Sequence, residues 1–287
     1  MAMVQARKRR PEQWLLRLTG QVALNVGLYA AAALCLFPFL WMISTALKPE
    51  DNALTNNFFV GYTLTWSNFA TAWDFFPFGR FMLNSAIMSI GGVIVVIVVS
   101  TTGGYAFARL AFPGRDRIFL AYIATLLVPA TVTVIPLFLI SRYLNIYDSY
   151  LGLILPISFS AFGTFLLRQF FRTLPEELSD SAKIDGAGEF RIFLTIMMPL
   201  VRPAVAVLAV FTFISDWGNF LWPLIVTQSQ NMSTLELGLS TFQGEFGNYW
   251  SYMMAASTIA ILPTVILVIL LQKYLVKGLA FTSFGGR

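Results

Sequence analysis

Histidine is absent from this chain of 287 residues. That removes the commonest general base and metal ligand, and with it every His-based triad and zinc motif. Cysteine occurs once, as Cys35, so neither a disulfide within the chain nor a thiolate metal cluster can form. Cys35 follows Ala-Ala-Leu, where the bulky leucine argues against a lipoprotein cleavage site; a buried structural thiol is expected. Charge is scarce as well. Only 11% of residues are charged, against roughly 25% in soluble proteins. The phosphate-loop pattern Gly-x4-Gly-Lys-Ser/Thr is missing, since glycine is nowhere followed by lysine. The chain therefore has no such loop with which to hydrolyse ATP. Gly186-Ala187-Gly188 begins like a dinucleotide fingerprint, but Arg191 occupies the third glycine position and no strand precedes it.

Apolar residues fill the space these absences leave. They make up 57% of the chain, mean hydropathy is +0.72, and they come in blocks. About 20 apolar residues suffice to cross a bilayer. Six blocks qualify: 22–47, 81–108, 118–141, 150–170, 200–226 and 252–276. An all-α membrane protein with six transmembrane helices is expected. The run after the basic start (Arg7, Lys8, Arg9, Arg10, Arg17) is too long for a signal-peptide core and reads as a retained first span. Three domains of sequence follow: a basic N-terminus over 1–19, a six-helix body over 20–280 and a tail over 281–287.

Small and imino residues punctuate the blocks. Gly91-Gly92 and Gly103-Gly104 in the second span predict close approach of a neighbouring helix. Pro129 and Pro136, Pro156 and Pro263 sit in the third, fourth and sixth spans, and Pro199 and Pro203 border the fifth. Kinks or breaks are expected there. The loop over 48–79 carries Trp66, Phe69, Trp73, Phe75 and Phe76, which suit a membrane interface.

The net charge of +5 does not require nucleic acid, because no basic stripe with interleaved aromatics occurs in a loop. Instead the cations separate by side. Of 19 Lys and Arg, 16 fall in the N-terminus, the 109–117 loop, the 168–202 loop and the tail. Only Lys48, Arg80 and Arg142 fall opposite. The positive-inside rule then places both termini and the 168–202 loop in the cytoplasm.

That loop is a polar island: Glu176, Glu177, Asp180, Lys183, Asp185, Glu189 and Arg191 lie within sixteen residues. Thr173-Leu174-Pro175-Glu176 fits a capping box with proline in the first turn. Acids then fall near the positive end of a helix and Lys183 near its negative end, and Gly186 is placed to end it. Leu178, Ser181, Ala182 and Asp185 share one face, whose small residues would let another surface approach. A solvated helix without a partner is the alternative. After Gly188, Phe190, Phe193, Leu194 and Met197 suit an interfacial helix leading to Pro199.

In the fifth span Asp216 is an intramembrane acid, which is costly and by default functional. With Trp217, Asn219 and Trp222 it offers hydrogen bonds and flat apolar faces suited to a sugar in a substrate path. A capping cluster at the membrane surface fits the same residues.

These residues resemble a known family. Asp180-Ser181-Ala182, Gly186, Ile196 and Met198-Pro199 keep the spacing of E-A-A-x3-G-x9-I-x-L-P, the mark of membrane permeases of ATP-binding-cassette (ABC) importers. Asp, Ser and Met replace Glu, Ala and Leu. Trp217-Gly218-Asn219-Phe220-Leu221-Trp222-Pro223-Leu224 is similar to a run found in sugar permeases, with one residue inserted. Leu275-Val276-Lys277-Gly278-Leu279 is similar to the family's tail, though Thr282 and Gly285 replace its usual Gly and Lys. The chain is thus identified as similar to the carbohydrate-uptake branch, which includes the smaller maltose permease subunit.

The resemblance implies a type I importer fold and a non-catalytic permease in a bacterial inner membrane. Its partners would be a homologous second permease, two ATPase subunits and an extracytoplasmic solute-binding protein. ATP and Mg²⁺ would sit on the ATPases, with no cofactor bound by this chain. Glu177, Asp180, Ser181, Ala182, Asp185, Gly186, Ile196 and Pro199 would couple to the ATPases. The 227–251 loop, with Glu236 and Glu245, would meet the solute-binding protein. A secondary transporter or channel without an ATPase, or an ABC permease for a glycerophosphate, are the alternatives. A membrane-embedded enzyme is disfavoured by the missing histidine and the lack of paired intramembrane carboxylates.

Overall fold

The computed structural model describes residues 11–59, 61–244 and 247–284, and side-chain surroundings for 20–59, 61–243 and 249–274. Residues 1–10, 285–287 and Glu245 lie outside the described residues, with most of the expected basic N-terminus, the end of the tail and its Gly285.

The described chain is helical apart from one two-residue hairpin. Helix α1 (Pro11–Ala46) leads through a loop and α2 (Ser67–Asp74) to the central α3 (Phe78–Arg109). Three bent units follow: α4 (Arg115–Ala124) with α5 (Ala130–Tyr143), α6 (Tyr150–Ile154) with α7 (Ala161–Thr173), and, after α8 (Glu177–Ile184), α9 (Glu189–Ile192) and α10 (Met198–Leu200) with α11 (Arg202–Trp217). Short α12 (Leu221–Val226) and α13 (Leu235–Ser240) then precede β1 (Gln243–Gly244), paired antiparallel with β2 (Gly247–Asn248). Helices α14 (Trp250–Ala260) and α15 (Leu262–Phe284) close the fold.

Three stretches are long and apolar enough to cross a membrane: Gly20–Ala46, Phe78–Arg109 and Trp250–Tyr274. The three bent units bring the number to six, in line with the six apolar blocks. Their bends are sharp, at 103°, 54° and 77°, and each lies beside a proline. Pro129 caps α5, Pro156 stands in the 3-10 turn between α6 and α7, and Pro203 opens α11. Proline withholds an N–H and clashes with the preceding turn, so the helix breaks beside these three, whereas Pro136 stays inside α5. The fifth block is corrected: 200–226 is two helices, because α11 ends at Trp217 and a non-helical Gly218-Asn219 link precedes α12.

Packing radiates from α3. Between lipid-solvated helices the driving force is contact rather than transfer from water, which favours small residues at crossings. A Cβ on Gly104 would stand 3.0 Å from the backbone nitrogen of Arg168 in α7, and one on Gly91 2.6 Å from Ile154. One on Gly92 would fall on the Asp216 carboxylate. The glycine pairs thus mark the crossings of α3 with α6, α7 and α11, as expected.

Two buried clusters occupy opposite ends of α3. Phe76, Phe78, Phe81, Phe213, Trp217 and Phe242 form one, and Tyr105, Leu167, Phe171, Ile192, Phe193 and Met197 the other. By contrast the apolar window of α1 has none of its residues buried within the chain. Cys35 is exposed on it, so the expected buried thiol is corrected.

Candidate functional site

At the far end of α3 the α8 loop is built onto the second cluster. Thr173 belongs to the last turn of α7, and its hydroxyl donates to Phe170 O at 2.8 Å. The expected capping box therefore does not form; Glu176 stands at the N-cap without a side-chain cap. The other end of α8 follows expectation. Gly186 is left-handed at φ +79, Gly186 N donates to Lys183 O at 3.0 Å, and Ala187 N donates to Ala182 O at 2.9 Å. This pair of bonds is a Schellman stop, which needs a residue without Cβ strain at Gly186. A Cβ there would meet nothing within 4 Å, so the demand for glycine is conformational.

One face of α8 turns inward. Ser179 and Ala182 are buried, Ala182 against the second cluster. The expectation that Ala182 lies on the approachable face is corrected: it anchors the helix to its own fold. Glu177, Asp180, Ser181 and Asp185 are exposed. Between them Ile184 is 86% exposed and nearby Phe190 71%, two apolar side chains in water within an acidic surround. Phe193 and Met197 are buried rather than interfacial, and Ile196 packs beside them in a π-helical turn ahead of Pro199.

Sequence reasoning missed the fastening of this loop. Glu189 bridges Lys183 Nζ at 2.8 Å and accepts from Tyr105 Oη of α3 at 2.8 Å. The hydrogen bond from Lys183 comes first among the causes that hold the Glu189 carboxyl below its ordinary range, and that from Tyr105 second. The same partner raises Lys183. Arg109, also on α3, donates to the Phe171 and Leu174 carbonyls at the end of α7. Only the run of acids followed by a lysine hinted at the bridge.

At the opposite end the four side chains read as a sugar cluster diverge. Trp217 is buried and its Nε1 donates to Ala260 O at 3.0 Å. Trp222 is buried and donates to Gly152 O at 3.1 Å. Asn219 Oδ1 accepts from Trp222 N in the first turn of α12, at 3.2 Å. Asp216 lies over Gly92 with Ser158 nearby. The structure does not bring these four to one surface.

It assembles a different group there. A cleft of about 430 Å³ is lined by Trp217, Phe220, Glu236, Ser240, Gln243, Ser257 and Thr264, with apolar residues from α1, α13 and α14 and Ile261 at the α14–α15 junction. Burial pushes the Glu236 carboxyl up. No group of three or more potential metal ligands occurs among the described residues.

This frame of broken spans with a fastened polar helix matches known proteins. The family model described as binding-protein-dependent transport system inner membrane component matches residues 100–281. The chain belongs to that family. It is 34% identical to the arabinooligosaccharides transport system permease protein AraQ of Bacillus subtilis (strain 168), over 93% of this chain and 96% of that one. It is 36% identical to the sn-glycerol-3-phosphate transport system permease protein UgpE of Yersinia pestis bv. Antiqua (strain Antiqua), over 89% and 94%. Its fold is similar to a chain in the crystal structure of a bacterial ABC transporter involved in the import of the acidic polysaccharide alginate. There the TM-score is 0.77 at 20% identity, over 93% of this chain and 98% of that one. The all-α importer-permease fold and the permease class expected from the α8 loop are those of the family.

Proposed function

We propose that this permease is the membrane subunit of an ATP-driven importer that moves a carbohydrate by alternating access, and that α8 is its coupling helix. The observation that carries the reading is the α8 loop itself. It is stopped by Gly186, anchored through Ala182 and clasped through Glu189 to α3, yet it presents Ile184 and its acidic neighbours to solvent. A rigid, exposed and partnerless face is a surface for transmitting force. Glu177, Asp180, Ser181 and Asp185 would meet the ATPase, while Ala182, Gly186, Ile196 and Pro199 would hold them in place. ATP and Mg²⁺ would be bound by two separate ATPase subunits, leaving this chain non-catalytic and free of cofactors.

The bare apolar surface of α1 supports burial against lipid and a homologous second permease. The loop around α13, at the opposite end of α3 from α8, suits contact with a solute-binding protein outside. The charge separation supports cytoplasmic termini. Among relatives, names refer to arabinooligosaccharides and to sn-glycerol 3-phosphate; the reading takes the carbohydrate, with the glycerophosphate as its alternative.

The test is ATP-dependent uptake in proteoliposomes holding the chain with a second permease subunit and an ATPase subunit that co-purify with it. Uptake should require ATP and the solute-binding protein, and should be lost when the ATPase is omitted. Uptake by this chain alone, driven by an ion gradient, would establish the secondary-transporter reading instead.

A further inference from the structure

The cleft beside α13 lies at the opposite end of α3 from the α8 loop. Asn84 Nδ2 donates to Asn231 O and Ser233 O, each at 2.8 Å, and Ser85 Oγ accepts from Leu235 N at 2.9 Å. These bonds pin the start of α13 to the start of α3. From Ser85 to the Arg109 cap the helix rises about 36 Å, at roughly 1.5 Å per residue. The cleft also lies where α11 breaks off after Trp217, against the α14–α15 junction at Ile261. Transporters build solute sites at such interruptions, because the backbone is irregular only where it lines a cavity.

Its polar groups are short of partners. Glu236 is half-buried and makes no hydrogen bond or ion pair among the described residues. The Gln243 amide donates only to Met253 Sδ, at 3.5 Å. Thr258 satisfies its hydroxyl on Met254 O at 2.7 Å, as a helical threonine ordinarily does. Along the same span Ser257 and Thr264, which line the cleft, make no such bond among the described residues. Half-buried polar groups left unpaired carry a desolvation cost that a ligand can relieve. Trp217 adds apolar ring surface, its N–H already committed to Ala260 O, and Phe220 adds a second, more exposed ring.

Charge decides the ligand class. Among the described residues the cleft lining contains one carboxylate and neither lysine nor arginine. A carboxylate accepts hydrogen bonds from vicinal hydroxyls, an amide and two hydroxyls both donate and accept, and ring faces suit a sugar's C–H surface. A phosphate or uronate would meet like charge with no cation to offset it. From this we infer that the Glu236 cleft is a transit site for a neutral oligosaccharide, and that it disfavours anionic solutes such as a glycerophosphate. The inference rests on the importer reading and narrows its substrate.

A protection experiment on the assembled complex tests the cleft separately from transport. Ser257→Cys, made in a Cys35→Ser background, is alkylated with N-ethylmaleimide in the presence of arabinotriose or sn-glycerol 3-phosphate at millimolar concentration. Arabinotriose should slow alkylation at least threefold, and sn-glycerol 3-phosphate should leave it unchanged. Adding Glu236→Gln, which keeps the shape and removes the charge, should abolish most of the protection. Absence of protection by the sugar, protection by the phosphate, or protection that survives Glu236→Gln each overturns the inference. ATP-dependent arabinotriose uptake is measured alongside on the unsubstituted complex. Uptake without protection overturns the cleft and leaves the importer standing; ATP-independent uptake overturns the importer reading and this inference with it.

Discussion

Arg109 and Arg168 close each other's helices. Arg109, the last residue of α3, donates to carbonyls at the end of α7, and Arg168 in α7 donates through Nε to Phe107 O at 3.1 Å near the end of α3. Each cation therefore sits where the neighbouring helix presents its last carbonyls and the negative end of its dipole. Arg168 also pairs with Asp116 at 3.2 Å and lies 3.9 Å above the Phe119 ring. Arg168→Ala should lower stability by about 1.5–3 kcal/mol, the range for hydrogen bonds to charged groups. Arg168→Lys should recover little, since one ammonium cannot reproduce the planar fork. Thermal unfolding of the purified protein in detergent measures both.

Gly186 is held at φ +79 in open space. An L side chain there costs about 1–2 kcal/mol of backbone strain without any clash. Gly186→Leu should insert into the membrane at normal levels and lose ATP-dependent uptake, because the Schellman stop that aims α8 is strained. Gly186→Asn should keep a substantial part, as asparagine tolerates the left-handed region. Normal uptake by Gly186→Leu would sink the coupling role of α8.

Gly92 makes room for the Asp216 carboxylate. Gly92→Ala should destabilise the protein by about 1–3 kcal/mol, the usual range for overpacking. Asp216→Ala should relieve most of that loss in the double variant, so the two changes will not add. Gly188→Ala, where a Cβ meets nothing within 4 Å, serves as the control. A thermal-shift cycle with additive losses would show that the two residues do not share this space.

The Lys183–Glu189–Tyr105 clasp has a pH window with two edges. Glu189 is lowered from 4.5, so its contribution is present above that value and is lost as pH falls through the depressed pKa. Lys183 is raised from 10.5, so its contribution is full below that value and is lost as pH rises through the elevated pKa. Protection of the 183–192 amides should thus be flat from about pH 5 to 10 and fall on the acid side below about pH 4.5. Glu189→Gln should remove the acid edge. The side chains of Lys183 and Glu189 are 50% and 44% exposed, so solvent screens the ion pair and its own contribution is small.

Much of this protein was legible without its structure. Apolar blocks, prolines and glycine pairs act locally or through lipid, so they announced the spans, the breaks and the crossings on α3. The sidedness of charge and the spacing from Asp180 to Pro199 pointed to the family and to the loop that matters. Gly186 was readable because a helix stop is a local event. Tertiary structure decided what depends on distant partners. Thr173 reads as a cap, yet α7 claims it as its last residue. Ala182 reads as a free face, yet the second cluster covers it. Trp217 and Trp222 read as neighbours in one cluster, yet Ala260 of α14 and Gly152 of α6 take their N–H groups and part them. Glu236 reads as a loop acid, and only the convergence of α13 with the break after Trp217 and the α14–α15 junction places it in a cleft. The α8 loop was therefore visible as a polar island, while its inward anchor, its clasp to Tyr105 and its bare Ile184 belong to the fold, because which face of a short helix is buried is set by what it lands on.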